Sequence, residues 1–149
     1  MKADAQTEAE VMNVMNQAME AFVRRDLDAL LSLYAHDPDL VVIGTGKDEK
    51  RVGFAQVKSL FERDLTQFND ASFRFGWHSI SAVGPVAWVT ADLILNLKAG
   101  GQEIGFQVRL TNVLEKRAGT WLIVQEHGSL PAAGQEEGAA FPKNQQKAN

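Results

Sequence analysis

The chain has 149 residues, 45% of them hydrophobic and 23% charged, a length and balance that fit one folded domain and exclude an intrinsically disordered chain. Its formal charge is -4, and its basic residues form no run longer than a pair, such as Arg24–Arg25 and Lys116–Arg117, so no footprint for nucleic acid or an anionic membrane surface is present. The absence of cysteine excludes disulfides, a thiol nucleophile and thiolate metal sites, and makes a cytoplasmic location the expectation.

The opening segment, MKADAQTEAEVMNVM, lacks the continuous apolar stretch of a signal peptide, and no later segment has the run of about 20 apolar residues that a membrane span needs. From Thr7 to Arg25 the apolar residues Val11, Val14, Met15, Ala18, Met19 and Phe22 recur at three- and four-residue steps, which predicts an amphipathic helix. Thr7 followed by Glu10 predicts a capping box at its start. Asp26 reads as the N-cap of a second, shorter helix with Leu27, Leu30, Leu31 and Tyr34 on its buried face, ended by Pro38.

Leu40 to Gly46 reads as a first strand, and the GKDEKR stretch after it as a polar loop. A third helix is predicted from about Gly53, with Phe54, Val57, Leu60, Phe61 and Leu65 inward. After Asn69–Asp70 the period becomes strand-like. Four strands follow, Ala71–Ala82, Val86–Lys98, Gln102–Lys116 and Thr120–Ser129, separated by the short turn signals VGP, AGG and RAG. Helices first and an antiparallel meander afterwards predict an α+β domain in which the helices cover one face of the sheet. Residues 132–149 have little to bury and read as a flexible tail, which leaves 7–131 as the domain.

Candidate functional residues are polar groups on otherwise apolar strand faces. In Gln102–Lys116 the alternate positions Ile104, Phe106, Val108, Leu110 and Leu114 are apolar and Asn112 is the exception. A buried amide needs a partner, because leaving it unpaired costs about 1–3 kcal/mol. Asn112 is therefore either a satisfied core amide or a pocket residue. In Val86–Lys98, Trp88, Thr90, Asp92 and Ile94 share a face opposite Val89, Ala91, Leu93 and Leu95. The mixed face suits a cavity wall, although solvent or a subunit interface would equally suit Thr90 and Asp92.

Among the three histidines, His36 falls in a turn, the facing of His78 is open, and His127 is the one placed to act as an acid or base if a cavity holds it. Alternation sets Glu126 on the opposite face from His127, so the two are not a ready-made dyad. Asp92 is the second catalytic candidate. No metal-ligand spacing, phosphate-cradling glycine loop or Gly-x-Ser-x-Gly nucleophile elbow occurs, so no metal or other cofactor is called for.

The order of AFVRRDLDALLSLYAHDPDLVVIG, RVGFAQVKSLFERDL, GPVAWVTADL and GTWLIVQEHGS resembles the SnoaL-like group of the nuclear transport factor two-like superfamily, which includes ketosteroid isomerase. The resemblance covers about Thr7 to Pro131. It implies a cone-like curved antiparallel sheet wrapped around the N-terminal helices, with a cavity at the open end, and a homodimer formed through the sheet.

The last strand is also similar to that of the calmodulin-dependent kinase association domain, matching at Trp121, Val124, His127 and Ser129, with Gln125 where that domain has a histidine. That domain's pocket arginines fall at about Thr90 and Asn112, and the isomerase base falls close to Ile43–Gly44. Two functions emerge as expectations. One is a cavity for a small, largely apolar molecule, lined by Tyr34, Trp88, Thr90, Asn112 and His127. The other is a homo-oligomerisation module that uses Gln107, Arg109, Thr111 and Glu115 on the outer sheet face.

Overall fold

The first helix, α1, spans Ala5–Val23 and starts two residues before the apolar period suggests. The structure, a computed structural model, describes residues 1–143 and 146–148. Asp4 is the N-cap, and its carboxylate accepts a hydrogen bond from the Thr7 amide at 2.7 Å. The Thr7–Glu10 capping box does not form. An aspartate three residues upstream satisfies the same orphan amide and adds a negative charge at the helix N-terminus. Glu10 is released to face the sheet. Asp26 caps α2, Leu27–Leu31, by accepting from the Ala29 amide at 3.1 Å, as the sequence predicts.

The first strand is shorter than expected, and the polar stretch after it is not all loop. Strand β1 covers Val41–Ile43, and β2, Lys50–Val52, folds back on it with Val41 opposite Val52 and Ile43 opposite Lys50. β2 is one of the two edge strands, where charged residues such as Lys50 and Arg51 suit an edge that must not pair further. Helix α3, Phe54–Asp64, follows from Gly53, whose φ of 87° lets its amide reach the Leu40 carbonyl at 2.7 Å. A side chain would strain that turn.

Strands β3 (Asp70–Val83), β4 (Val86–Ala99), β5 (Gln102–Arg117) and β6 (Thr120–Ser129) form the predicted meander. The sheet order is β2-β1-β6-β5-β4-β3. Every pair is antiparallel except β1 with β6, which makes a six-stranded, curved, mixed sheet that does not close. The helices pack on one face only. Val11, Met15 and Ala18 of α1 and Val57, Leu60 and Phe61 of α3 are buried with Ala87, Val89, Ala91 and Leu93 of β4. Alternation along β4 thus fixes which face is inside.

Two β-bulges interrupt the ladders. One lies in β3 between Phe75 and His78; the other sets Leu114 opposite Ile123 but Val113 opposite Gln125, leaving Val124 as the extra residue of β6. The ordered unit also begins earlier than Thr7. Met1–Ala3 lie along the free edge of β3, with the Ala3 amide on the Ile80 carbonyl at 3.1 Å and the Ala82 amide on the Met1 carbonyl at 2.9 Å. Beyond Ser129 the described residues carry no helix or strand. Of the expected tail, residues 144, 145 and 149 lie outside the described residues. No described helix is long and apolar enough to cross a membrane.

Candidate functional site

Between the helices and the concave face of β4–β5 lies a recess of about 420 Å³, within the size range of small-molecule sites. Its wall is apolar. Met15, Met19 and Phe22 of α1 face Leu93 and Leu95 of β4 and Leu110 of β5 across it. These side chains line it because the inward positions of both strands are apolar apart from Asn112, and the helices do not cover that part of the sheet completely.

Glu126 is the carboxylate that β6 sets into this wall. Its Oε2 accepts hydrogen bonds from the Tyr34 hydroxyl at 2.9 Å and from Asn112 Nδ2 at 2.6 Å. Three elements meet there: Tyr34 bridges from the segment after α2 to Ile123 in β6, and Asn112 lies directly opposite Glu126 in the β5–β6 pair. Oε1 accepts no hydrogen bond from a described residue. Among the described residues, the single fully buried side-chain oxygen without a partner is Asn112 Oδ1, so Glu126 Oε1 opens to the recess that its residue lines. Burial pushes the Glu126 carboxyl above the usual carboxylate range, and the hydrogen bonds from Asn112 and Tyr34 oppose that shift. Burial and the adjacent Glu126 charge push the Tyr34 phenol well above its ordinary value, so it stays a donor.

At the rim, Glu49 and Asp64 line the recess. Arg63, which does not line it, gathers the rim carboxylates: Nε donates to Asp64 at 2.9 Å, one terminal nitrogen donates to Glu49 at 3.2 Å, and the other pairs with Asp48. The Asp64 carboxyl is raised, mainly by burial, whereas Arg63 holds Asp48 below the usual range. Among the described residues no cluster of three His, Cys, Asp or Glu side chains could hold a metal ion.

The expected site residues separate across the sheet. Tyr34 lines the recess, and Asn112, fully buried, stands behind Glu126 rather than in the wall. Trp88, Thr90 and Asp92 do not line it. They occupy the opposite face of β4, with Trp88 opposite Ser81 and Val113, Thr90 opposite Ser79 and Thr111, and Asp92 opposite Arg109. The physical reason is that the uniformly apolar face of β4 is the concave one; polarity reaches the recess from neighbouring elements, not from β4.

His127 is also exposed on the outer face, opposite Thr111. Regular alternation from Trp121 and Ile123 would bring Gln125 and His127 inward, but the extra residue at Val124 reverses the parity and turns Glu126 in instead. Sequence reasoning misses Glu126 because the signal for a bulge here is weak. His78 faces inward at the far side of the sheet, 3.6 Å from Glu8 of α1. Near Ile43–Gly44, where the resemblance implies an acid, the Glu49 carboxylate occupies the space that a side chain on Gly44 would take.

Solved structures share this fold. A candidate calcium/calmodulin-dependent protein kinase II association domain from Xanthomonas campestris is 26% identical, with 89% of this chain and 95% of that one covered and a TM-score of 0.75. A nuclear transport factor 2-like superfamily protein from Salmonella enterica serovar Typhimurium is 19% identical over 93% of this chain and 100% of the other, TM-score 0.81. A candidate scytalone dehydratase from Novosphingobium aromaticivorans is 14% identical, with 95% of each chain covered and a TM-score of 0.77. No curated protein matches the chain. The two less similar structures establish the fold alone. The profile of the SnoaL-like domain spans residues 11–133, from α1 to just past β6. The chain therefore belongs to the SnoaL-like domain family, and its fold is the one seen in nuclear transport factor 2-like proteins.

Proposed function

We propose that this SnoaL-like domain takes up a small, largely apolar molecule in the recess and addresses it through Glu126. One observation carries the reading: Glu126 Oε1 has no partner among the described residues and opens into a largely apolar recess of about 420 Å³. A raised carboxyl so placed can give or take a proton at a group of the bound molecule, with Tyr34 and Asn112 fixing its orientation. Candidate dehydratases and a candidate aromatic ring hydroxylase among the structural neighbours are compatible with chemistry on apolar substrates. The test is a titration with octanol, a neutral apolar probe, followed by amide NMR shifts. Shifts centred on Gly44, Leu93, Leu95 and Gly128 are expected. Shifts confined to the outer sheet face, or none, would sink the idea.

The outer face favours a second reading, homodimerisation through the sheet. Trp77, in the β3 bulge, is 62% exposed, and Gln107, Arg109 and Thr111 stand exposed on the same sheet, with Glu115 held by Arg117 at its end. The 26% identical relative is described as an association domain. Native mass spectrometry across a dilution series should show a dimer that Trp77→Glu dissociates; a monomer at every concentration would remove this reading.

A further inference from the structure

Among the described residues, every ionisable side chain lining the recess is an acid or a phenol: Glu126 in the wall, Glu49 and Asp64 at the rim, and Tyr34 beside Glu126. No described lysine, arginine or histidine lines it. Arg63, which pairs with both rim carboxylates, is committed to Asp48, Glu49 and Asp64, and the donors to Glu126, Tyr34 and Asn112, are both neutral. Buried charges are ordinarily paired with a charge of opposite sign. Here the protein withholds a cation from the carboxylate set into the apolar wall.

We infer that the recess selects a ligand with an apolar body and a protonated amine, the ammonium group seating on Glu126 Oε1, and rejects carboxylates of the same size. This rests on the recess being a ligand site and adds the charge of the occupant. The geometry supports it in two further ways. Tyr34 and Asn112 both donate to Oε2, which leaves Oε1 free to accept from an ammonium. Glu49 and Asp64 sit at the rim, where a carboxylate ligand entering would meet like charge and an ammonium opposite charge. Burial without a counter-charge raises the Glu126 carboxyl, and a ligand ammonium would supply that charge.

Octylamine, octanol and octanoate share one tail, and near neutral pH they are cationic, neutral and anionic respectively. Calorimetric titration of the full chain with each separates the two claims. Octylamine is expected to bind at least about tenfold more tightly than octanoate, with octanol between them, where tenfold corresponds to about 1.4 kcal/mol. In Glu126→Gln most of the octylamine preference over octanol should disappear. If that variant does not fold, Glu49→Gln with Asp64→Asn, which act at the rim, should reduce the octylamine-to-octanoate ratio by about threefold or more. Octanoate binding as tightly as octylamine overturns the charge inference while octanol binding still supports the recess. Binding of none of the three overturns both.

Discussion

Asn112 Nδ2 donates to Glu126 Oε2 at 2.6 Å from directly across the β5–β6 pair, and Asn112 is completely buried. The pair places a polar contact on an otherwise apolar inner face. Replacing Asn112 by Leu deprives Glu126 of one of its two donors without opening a large void. The expected cost is about 1–3 kcal/mol in urea unfolding, the range for stranding a buried polar group. Changing both residues to Leu together with Tyr34→Phe, whose hydroxyl would otherwise lose its acceptor, should recover much of that loss, because no partner of Glu126 is then left unpaired. A triple variant as unstable as the sum of the three singles would show that these groups do not interact.

Tyr34→Phe removes the other donor while keeping the ring that packs edge-on against Phe61 at 5.3 Å. Loss of a hydrogen bond to a carboxyl group costs about 1–3 kcal/mol. The variant should also raise the Glu126 carboxyl further, since the Tyr34 bond is one of the two influences holding it down. Carboxyl titration by NMR with labelled glutamate would read this shift directly. An unchanged titration of Glu126 would mean the phenol does not engage it.

Much of the fold is legible in the sequence because periodicity reports burial: the stripe Val11–Phe22 and the aliphatic alternation of β4 each encode one buried face. The site is less legible. Trp88, Thr90 and Asp92 read as a cavity wall because they mix aromatic and polar groups, yet a mixed face is also what an outer sheet surface shows. Which face is concave depends on where α1 and α3 pack, a tertiary fact. The inward turn of Glu126 depends on a single extra residue at Val124. Asn112 stands out because its rule is local, one amide in an aliphatic register, and its partner lies directly across the strand pair.

Glu126 also makes a distinctive contribution to the pH dependence of stability. Its folded pKa lies above the ordinary value of 4.5, so the folded state holds the proton more tightly than the unfolded chain. The contribution is full below the unfolded pKa and is lost as pH rises through the folded one. The groups that share its surroundings, Glu49 and Asp64 in the recess and Tyr34 beside it, offer no cation to reverse this sign. Glu126→Gln should therefore gain stability relative to wild type as pH climbs above 4.5, measured as the difference in melting temperature. A difference that shrinks over that range would contradict a raised carboxyl.

Glu10 behaves in the opposite sense. Hydrogen bonds from Lys116 Nζ at 2.8 Å and Trp121 Nε1 at 2.7 Å, both to Oε2, tie α1 to β5 and β6, and with Gln6 they hold its carboxyl down at about 2 against an ordinary 4.5. The unfolded chain then takes up the proton first as pH falls. Stability from Glu10 is present above 4.5 and is lost as the pH drops toward about 2. Glu10→Gln keeps the size and an acceptor oxygen but removes the titration, so the melting temperature of the variant should fall less steeply than that of wild type across this window. The two curves should converge at the acid end, because a protonated Glu10 resembles the glutamine. Parallel curves would mean that Glu10 does not anchor the helix to the sheet through its charge.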